Sequence, residues 1–482
     1  MIAPTTQAQA VADLLDAAPP GQGKLSDRSV RALRVATARL VDADGSAGRE
    51  EYARFLAISS RSIAVDQAHL RQVHVGRVVL ITGGTGCIGS EVVQQVCGLA
   101  PARVISVSRG LQTGWPRYAG VEYVELDIRD CEALAELVRR ERPDIVYHLA
   151  AQHDPGLAEV EVERTLSTNV GGTINVVEAC KLLPTVRLAC ASTGKALRPF
   201  SRDIYCASKK MAEWVLGEAA ALTSMRISAV RFTHVVNNSI ILQRLQDWTA
   251  TGETVRLHSL DTMFYLQSAR EAAQLLMSSV LDAGPGRLAV GAIRDLGWPV
   301  SLLDLSVGMV AAHPTASAIY CCGTEAGYES APYPGLYDPK VSGLISPLFN
   351  ALEALSVSGS SSSDDIDVLH SSVRSHPQIR RLIRETVNHA TAGATAGTLR
   401  EQVAHCGWAM LAAFLAQVRP EVISRHVTML GGKSQAAFSA DDLTTQAMVH
   451  KQRERYRHVR NGSGLPVPLQ PVGSPVVGLP SR

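Results

Sequence analysis

Apolar positions along the chain follow two patterns that alternate. Short runs, VVLIT at 78–82, VISVSR at 104–109, VEYVEL at 121–126, DIVYHLAA at 144–151 and VRLACAS at 186–192, are rich in β-branched residues and bounded by turn formers, which predicts buried strands. Between them, residues 131–142 and 169–183 carry apolar positions at helical spacing. Strands interleaved with helices predict an α/β fold built on a doubly wound parallel sheet, with ligands at the carboxyl edge of its strands.

Outside this stretch the pattern changes. Residues 1–24, rich in Ala, Gln, Pro and Gly, are expected to fray. Ser26 and Asp27 look like caps for a helix through Val30, Leu33, Ala36 and Leu40, and Gly45 and Gly48 separate it from a second helix around Tyr52, Phe55 and Leu56. Past residue 230 short apolar pieces mixed with Gly and Pro suggest a smaller substrate-covering region. The polar run GSSSSDD at 359–365 reads as a linker or loop, helical spacing returns at 376–394 and 399–418, and the basic run 451–460 reads as a solvated helix end. The tail LPVPLQPVGSPVVGLPSR reads as disordered. The expected organisation is a helical N-terminal extension over 1–75, a dinucleotide-binding domain over 76–335 whose substrate-binding part is about 230–335, a linker and helical C-terminal region over 336–460, and a disordered proline-rich tail over 461–482.

Composition narrows the classes. With 482 residues and 46% hydrophobic content, the chain has ample material for a core. The N-terminus lacks the basic start and apolar core of a signal peptide, and no apolar run reaches the roughly 18 residues a membrane helix needs, so a cytoplasmic location and no membrane partner are expected. Nine scattered cysteines show no Cys/His spacing suited to zinc, and no metal is expected. A net charge of +2 gives no global attraction to nucleic acid.

Two constellations carry chemistry. After the first strand, ITGGTGCIGS places Gly83, Gly84, Gly86 and Gly89 in a turn that leads to a helix starting near Ser90. Such glycines make the turn tight, let a pyrophosphate approach the backbone and pack the helix close to its strand, while the free N–H groups of the helix favour the phosphates. By itself the pattern also fits a plain strand-to-helix turn. The second constellation is Tyr205 and Lys209 in YCASK, one helical turn apart, where an ammonium beside the phenol would lower its pKa for proton exchange with a substrate hydroxyl. Ser192 and Thr193 end the preceding strand, where a hydroxyl could hold the substrate oxygen. The second strand ends in Ser108 and Arg109 with no carboxylate for a ribose 2′-OH, which favours NADP over NAD.

With these motifs together the chain resembles an extended short-chain dehydrogenase/reductase with a Rossmann-like sheet. Within that superfamily it resembles the polysaccharide-biosynthesis group of nucleotide-sugar 4,6-dehydratases and epimerases. The likeness covers roughly 61–330 and rests on SRSIAVD, ITGGTGCIGSE, DIRD, YHLAAQH, TNVGGTINVVEAC, STGKA, YCASKKMAE and VRF. The resemblance implies a cofactor site at Gly83, Thr85, Gly86, Cys87, Ile88, Gly89, Ser108, Arg109, Asp127, Ile128, Ala150 and Asn169, with Asp127 meeting the adenine and Asn169 supporting the active-site helix. It implies catalysis by Tyr205, Lys209, Lys195, Ser192 and Thr193 on a small, sugar-like substrate, and self-association as a homo-oligomer through the helix-bundle face of such folds.

The chain also departs from the group. Dehydratases carry Ser-Thr-Asp-Lys, in which Asp protonates the departing 6-hydroxyl and Lys removes the C5 proton; here the motif is Ser192-Thr193-Gly194-Lys195. Two extra residues separate it from Tyr205, so Asp203 could replace the acid from another direction. Gln152, Thr233-His234 and Met263 stand where the group has lysine, asparagine and arginine of the kinds that bind sugar and diphosphate. An epimerase acting through a transient ketone is the leading expectation. A simple dehydrogenase, a 4,6-dehydratase and a non-catalytic dinucleotide-binding subunit are the alternatives.

Overall fold

The computed structural model describes residues 6–111, 114–183, 186–313, 315–323, 346–354, 363–371, 375–430 and 439–460. At its centre is one eight-stranded sheet. Its strands are β1 (Val78–Thr82), β2 (Arg103–Ser108), β3 (Val121–Glu125), β4 (Ile145–His148), β5 (Arg187–Thr193), β6 (Arg226–Phe232), β7 (Ala289–Ile293) and β8 (Ile366–His370), in the order β8-β7-β6-β5-β4-β1-β2-β3. β1 through β7 run parallel, with Val79 opposite both Val104 and Ile145. The chain builds outward from β1 through β2 to β3 and then crosses to β4 on the other side of β1, so the strand order reverses there and opens a crevice at the carboxyl ends. Val79, Leu80, Ile81, Ile105 and Val107 are all buried, as a sheet covered on both faces requires.

The helices used below are α1 (Gln7–Ala17), α2 (Asp27–Ile58), α3 (Cys87–Cys97), α4 (Gly172–Cys180), α5 (Ile204–Leu222), α6 (Leu302–Ala312), α7 (Pro377–Thr391) and α8 (Ala396–Leu415). Several differ from expectation. Residues 7–17 do not fray: Thr6 caps α1 through Gln9 N, and Ala10 and Leu14 are buried. The two helices expected around Gly45 and Gly48 are one helix, α2. Gly48 is a contact point, because a Cβ there would lie 2.7 Å from the backbone N of Gly308 in α6, and one at Gly308 would lie 2.0 Å from the Gly48 carbonyl. Without side chains at the crossing, α2 and α6 pack backbone to backbone.

The helical prefix shares a core with the region that follows the sheet. Leu33, Leu40, Phe55 and Ile58 pack with Leu257, Phe264, Leu302, Val307 and Tyr320. β8, from the stretch expected to be linker and helix, joins the main sheet antiparallel to β7, burying Ile366 and Val368 while Asp367 pairs with Arg294. The helix expected over 169–183 opens with a wide turn at Ser167–Gly171 before α4 begins. α7 and α8 cover α5 and the segment before α4, where Ile204, Met211, Trp214, Leu166 and Val170 pack with Ile379, Ile383, Leu399, Val403 and Met410. The basic residues 451–460 end a helix over Ala440–Arg460. The proline-rich tail and most of GSSSSDD lie outside the described residues. No helix among the described residues is long and apolar enough to cross a membrane.

Candidate active site

Two turns meet at the carboxyl edge of the sheet. The first follows β1. Gly83 has φ +75°, and a Cβ there would lie 2.7 Å from Ala150 N in the loop after β4. Gly89 lies against the turn itself, 2.0 Å from the Gly83 carbonyl if given a Cβ. α3 starts at Cys87, earlier than the expected Ser90, because Ser90 N already donates to the Gly86 carbonyl at 2.8 Å. Gly86 is different from its neighbours: its φ of −88° suits any residue, and a Cβ there would meet nothing closer than 3.4 Å. As N-cap it supplies no side-chain acceptor, so the first turn of α3 with Cys87 and Ile88 has no side-chain cap.

Around this turn the expected cofactor residues take several positions. Thr85 Oγ1 donates to the Gly110 carbonyl at 3.1 Å, and Thr85 N donates to Ser108 Oγ at 3.4 Å. Ser108 is therefore buried against the glycine turn, while Arg109 beside it is exposed. Asp127 is gripped by Arg129, which donates from its backbone N at 2.9 Å and from Nη2 at 2.7 Å. That pairing holds the Asp127 carboxyl below its ordinary range against the opposing effect of burial, and Arg109 contributes in the same direction. Ile128 is buried and packs on Gly172. Thr82 accepts from Ala150 N and bonds His148 Nδ1 at 2.7 Å; burial pushes that imidazole down to about 3, so it stays neutral.

The second turn follows β5. Ser192, expected to hold substrate, donates to Glu213 Oε1 at 2.7 Å and belongs to a buried ion cluster. Burial drives the Tyr205 phenol up to about 12, and the neighbouring Thr193 hydroxyl acts in the opposite direction. The lowering expected from Lys209 is absent in this state, because its Nζ donates to the Ala191 carbonyl at 3.0 Å and burial brings its ammonium down to about 8.

Lys195 sits in the short 3-10 turn Gly194–Leu197, its N–H donating to Thr193 Oγ1 at 3.3 Å and its carbonyl accepting from Cys206 Sγ. Asp203 caps α5 through Cys206 N at 2.7 Å. Burial raises its carboxyl, opposed by the Lys195 charge. A Cβ on Gly194 would meet Leu348 Cδ2 at 2.7 Å, so the place of the group's acid is filled by a leucine. Asn169 accepts from Gln152 N at 2.8 Å and donates to Ser208 Oγ at 3.1 Å, joining the loop after β4 to the helix that carries Tyr205.

The ion cluster was not legible as a unit. Arg231, fully buried, donates to Glu213 from Nε and Nη2 (2.9 and 2.8 Å) and to Glu353 from Nη1 and Nη2 (2.7 and 2.9 Å). Arg231 and Glu213 lie inside the motifs VRF and YCASKKMAE, but nothing in the sequence marks Glu353. Among the described residues no group of His, Cys, Asp or Glu could hold a metal ion.

Comparison with known proteins agrees with this architecture. Residues 79–328, more than half of the chain, match the polysaccharide biosynthesis protein family. The probable polysaccharide biosynthesis protein EpsC of Bacillus subtilis is 25% identical over 268 residues, covering 52% of this chain and 43% of that protein. A UDP-N-acetylglucosamine 4,6-dehydratase (inverting) of Campylobacter jejuni is 28% identical over 172 residues, 34% of this chain and 50% of that one. The chain thus spans less than half the length of the first of these. The solved structure of Pen from Bacillus thuringiensis superposes with a TM-score of 0.51 at 22% identity, covering 62% of this chain and 89% of that one, and shows the same fold. This chain belongs to the polysaccharide biosynthesis protein family and has the extended short-chain dehydrogenase/reductase fold.

Proposed function

We propose that the chain is an NADP-dependent enzyme acting on a hydroxyl of a sugar or sugar-like substrate, with nucleotide-linked sugars the first class to test, and that it carries out a redox-neutral epimerisation through a transient ketone. The observation that carries this reading is that Thr193, at the carboxyl end of β5, lies beside the Tyr205 phenol and accepts from the backbone N–H of Lys195 in the turn that follows. The residues of the first turn fit a dinucleotide. Gly86 is required neither by its backbone angle nor by a protein neighbour, and α3 presents an uncapped N-terminus suited to phosphate. Exposed Arg109 beside Asp127 and Arg129 suits a 2′-phosphate. When bound, the nicotinamide accepts a hydride from the substrate carbon and returns it.

Thr193 and Tyr205 supply the proton path. The substrate hydroxyl gives its proton to the phenol, with the Thr193 hydroxyl beside it to orient the substrate oxygen. Lys209, one turn along α5 and largely cationic at neutral pH, favours the phenolate if it leaves the Ala191 carbonyl and approaches the phenol. Lys195 takes the proton from the carbon next to the new ketone and passes it to solvent, and a proton from water reaches that carbon on the opposite face. Leu348 over Gly194 supports retention of the hydroxyl, since an apolar side chain cannot protonate a leaving group. One observation favours dehydration as a second reading. The Asp203 carboxyl is raised by burial and lies within the field of both Lys195 and Tyr205.

Purified protein incubated with NADP or NAD and a panel of UDP-sugars, dTDP-sugars and cyclitols, read by mass spectrometry and chromatography, tests the reading. An isomerised product and tighter NADP binding are expected, with Arg109→Ala weakening NADP about tenfold to hundredfold and NAD little. No turnover of any sugar would sink it.

A further inference from the structure

Residues 346–354 begin about 150 positions after the Lys195 turn and outside the span matched by the family, yet they are built onto that turn. Asn350, fully buried, uses its side chain twice: Oδ1 accepts from Glu353 N at 2.9 Å and Nδ2 donates to the Leu197 carbonyl at 2.7 Å. Leu348 lies over Gly194, and its carbonyl accepts from Arg231 Nη1 at 3.1 Å. Glu353 completes the ion cluster with Arg231 and has Lys210 Nζ at 3.5 Å. Ser346 N donates to Asp367 Oδ2 at 2.7 Å and so ties the segment to β8.

The turn needs such support. Gly194–Leu197 is only four residues of 3-10 geometry, and the backbone bond at its exit, Arg198 N to the Lys195 carbonyl, is long at 3.4 Å. Its start is fixed by Thr193 Oγ1 and its middle by Cys206 Sγ, and its last carbonyl is fixed by Asn350. We propose that residues 346–353 are part of the active site, with Asn350 a positioning residue that holds the turn so that Lys195 keeps its place relative to Thr193 and Tyr205. The inference rests on the functional reading above only for what Lys195 does.

Asn350→Asp separates the two bonds: aspartate still accepts from Glu353 N, as a good cap residue, but cannot donate to Leu197. In the full-length protein, hydrogen exchange followed by mass spectrometry should show amides of 194–198 exchanging about fivefold faster or more, with 350–354 unchanged. Solvent-deuterium incorporation, the Lys195 step, should fall relative to hydride transfer, the Tyr205 step. Asn350→Ala, which loses both bonds, should loosen both segments. Unchanged exchange at 194–198 in Asn350→Asp would overturn the proposal, as would loosening of both segments in that variant, since Asn350 would then only anchor its own segment. If the wild-type protein turns over no sugar, the functional reading fails, and amide exchange still decides the positioning claim.

Discussion

The turns after β1 and after β5 are both strand-to-helix connections in which glycine is decisive, but glycine does opposite things in them. At Gly86 the missing side chain leaves space that no atom of the described residues fills, at the uncapped start of α3. At Gly194 the space is taken by Leu348 from a segment far along the chain. The first turn packs on the loops after β2 and β4, through Gly110 and Ala150. The second is held by long-range contacts with Leu348, Asn350 and, through Arg231, Glu353, and its room has been closed. A glycine in a motif therefore speaks for a ligand only when nothing in the fold occupies its place.

Separating the two turns by function should give the largest effect. Tyr205→Phe is expected to lower turnover about a hundredfold to ten-thousandfold while dinucleotide affinity stays nearly unchanged. Gly86→Ala should do the reverse, leaving the melting temperature almost unaltered and weakening dinucleotide binding, as calorimetric titration would show. Equal losses of binding in both variants would erase the distinction.

Acid should release the two regions in different windows. His148, bonded to Thr82 at the base of the first turn, has its folded pKa pushed by burial to about 3, below the unfolded value near 6.5. Folding then opposes its protonation, so stability falls as pH drops from about 6.5 toward 3. For Glu353, burial raises the carboxyl, but Arg231 and Lys210 outweigh it and bring the pKa from 4.5 to about 2. Its stabilisation, on the order of 3 kcal/mol, is present above about 4.5 and is lost as pH falls toward 2. Urea unfolding at stepped pH should show both windows, with His148→Gln flattening the upper one and Glu353→Gln the lower.

A smaller effect tests the closed turn itself. Gly194→Ala should cost about 1–3 kcal/mol through the Leu348 contact, and less in a Leu348→Ala background. A cost that does not depend on residue 348 would mean that Leu348 does not fill the space.

What could be read from the sequence follows the same division. The first turn is contiguous, so the apolar run of β1, the glycines and Arg109 could be placed from spacing alone. β1, β2, β4 and β5 were legible because they are mostly buried and read as apolar runs, whereas β3 at the sheet edge is half exposed. Tyr205, Lys209 and Thr193 were also legible, since one helix and one strand end carry them. The bond from Ser192 to Glu213, two helical turns beyond Tyr205 on α5, was not legible because no local spacing joins the two residues. Gly48 read as a helix break because its reason, Gly308, lies 260 residues away. The segment around Leu348 and Asn350 carries no motif, as its role consists of contacts to residues far earlier in the chain.

The most direct test of the central claim, that the closed second turn exchanges a proton without expelling water, is to run the reaction in heavy water with NADP and follow the sugar by mass spectrometry. The product should be one mass unit heavier through deuterium at the carbon beside the transient ketone, with no loss of a water mass, and the label should be lost in Lys195→Ala. A dehydrated product from the wild-type protein would contradict it, and if Asp203→Asn then abolished that product, the acid would be Asp203.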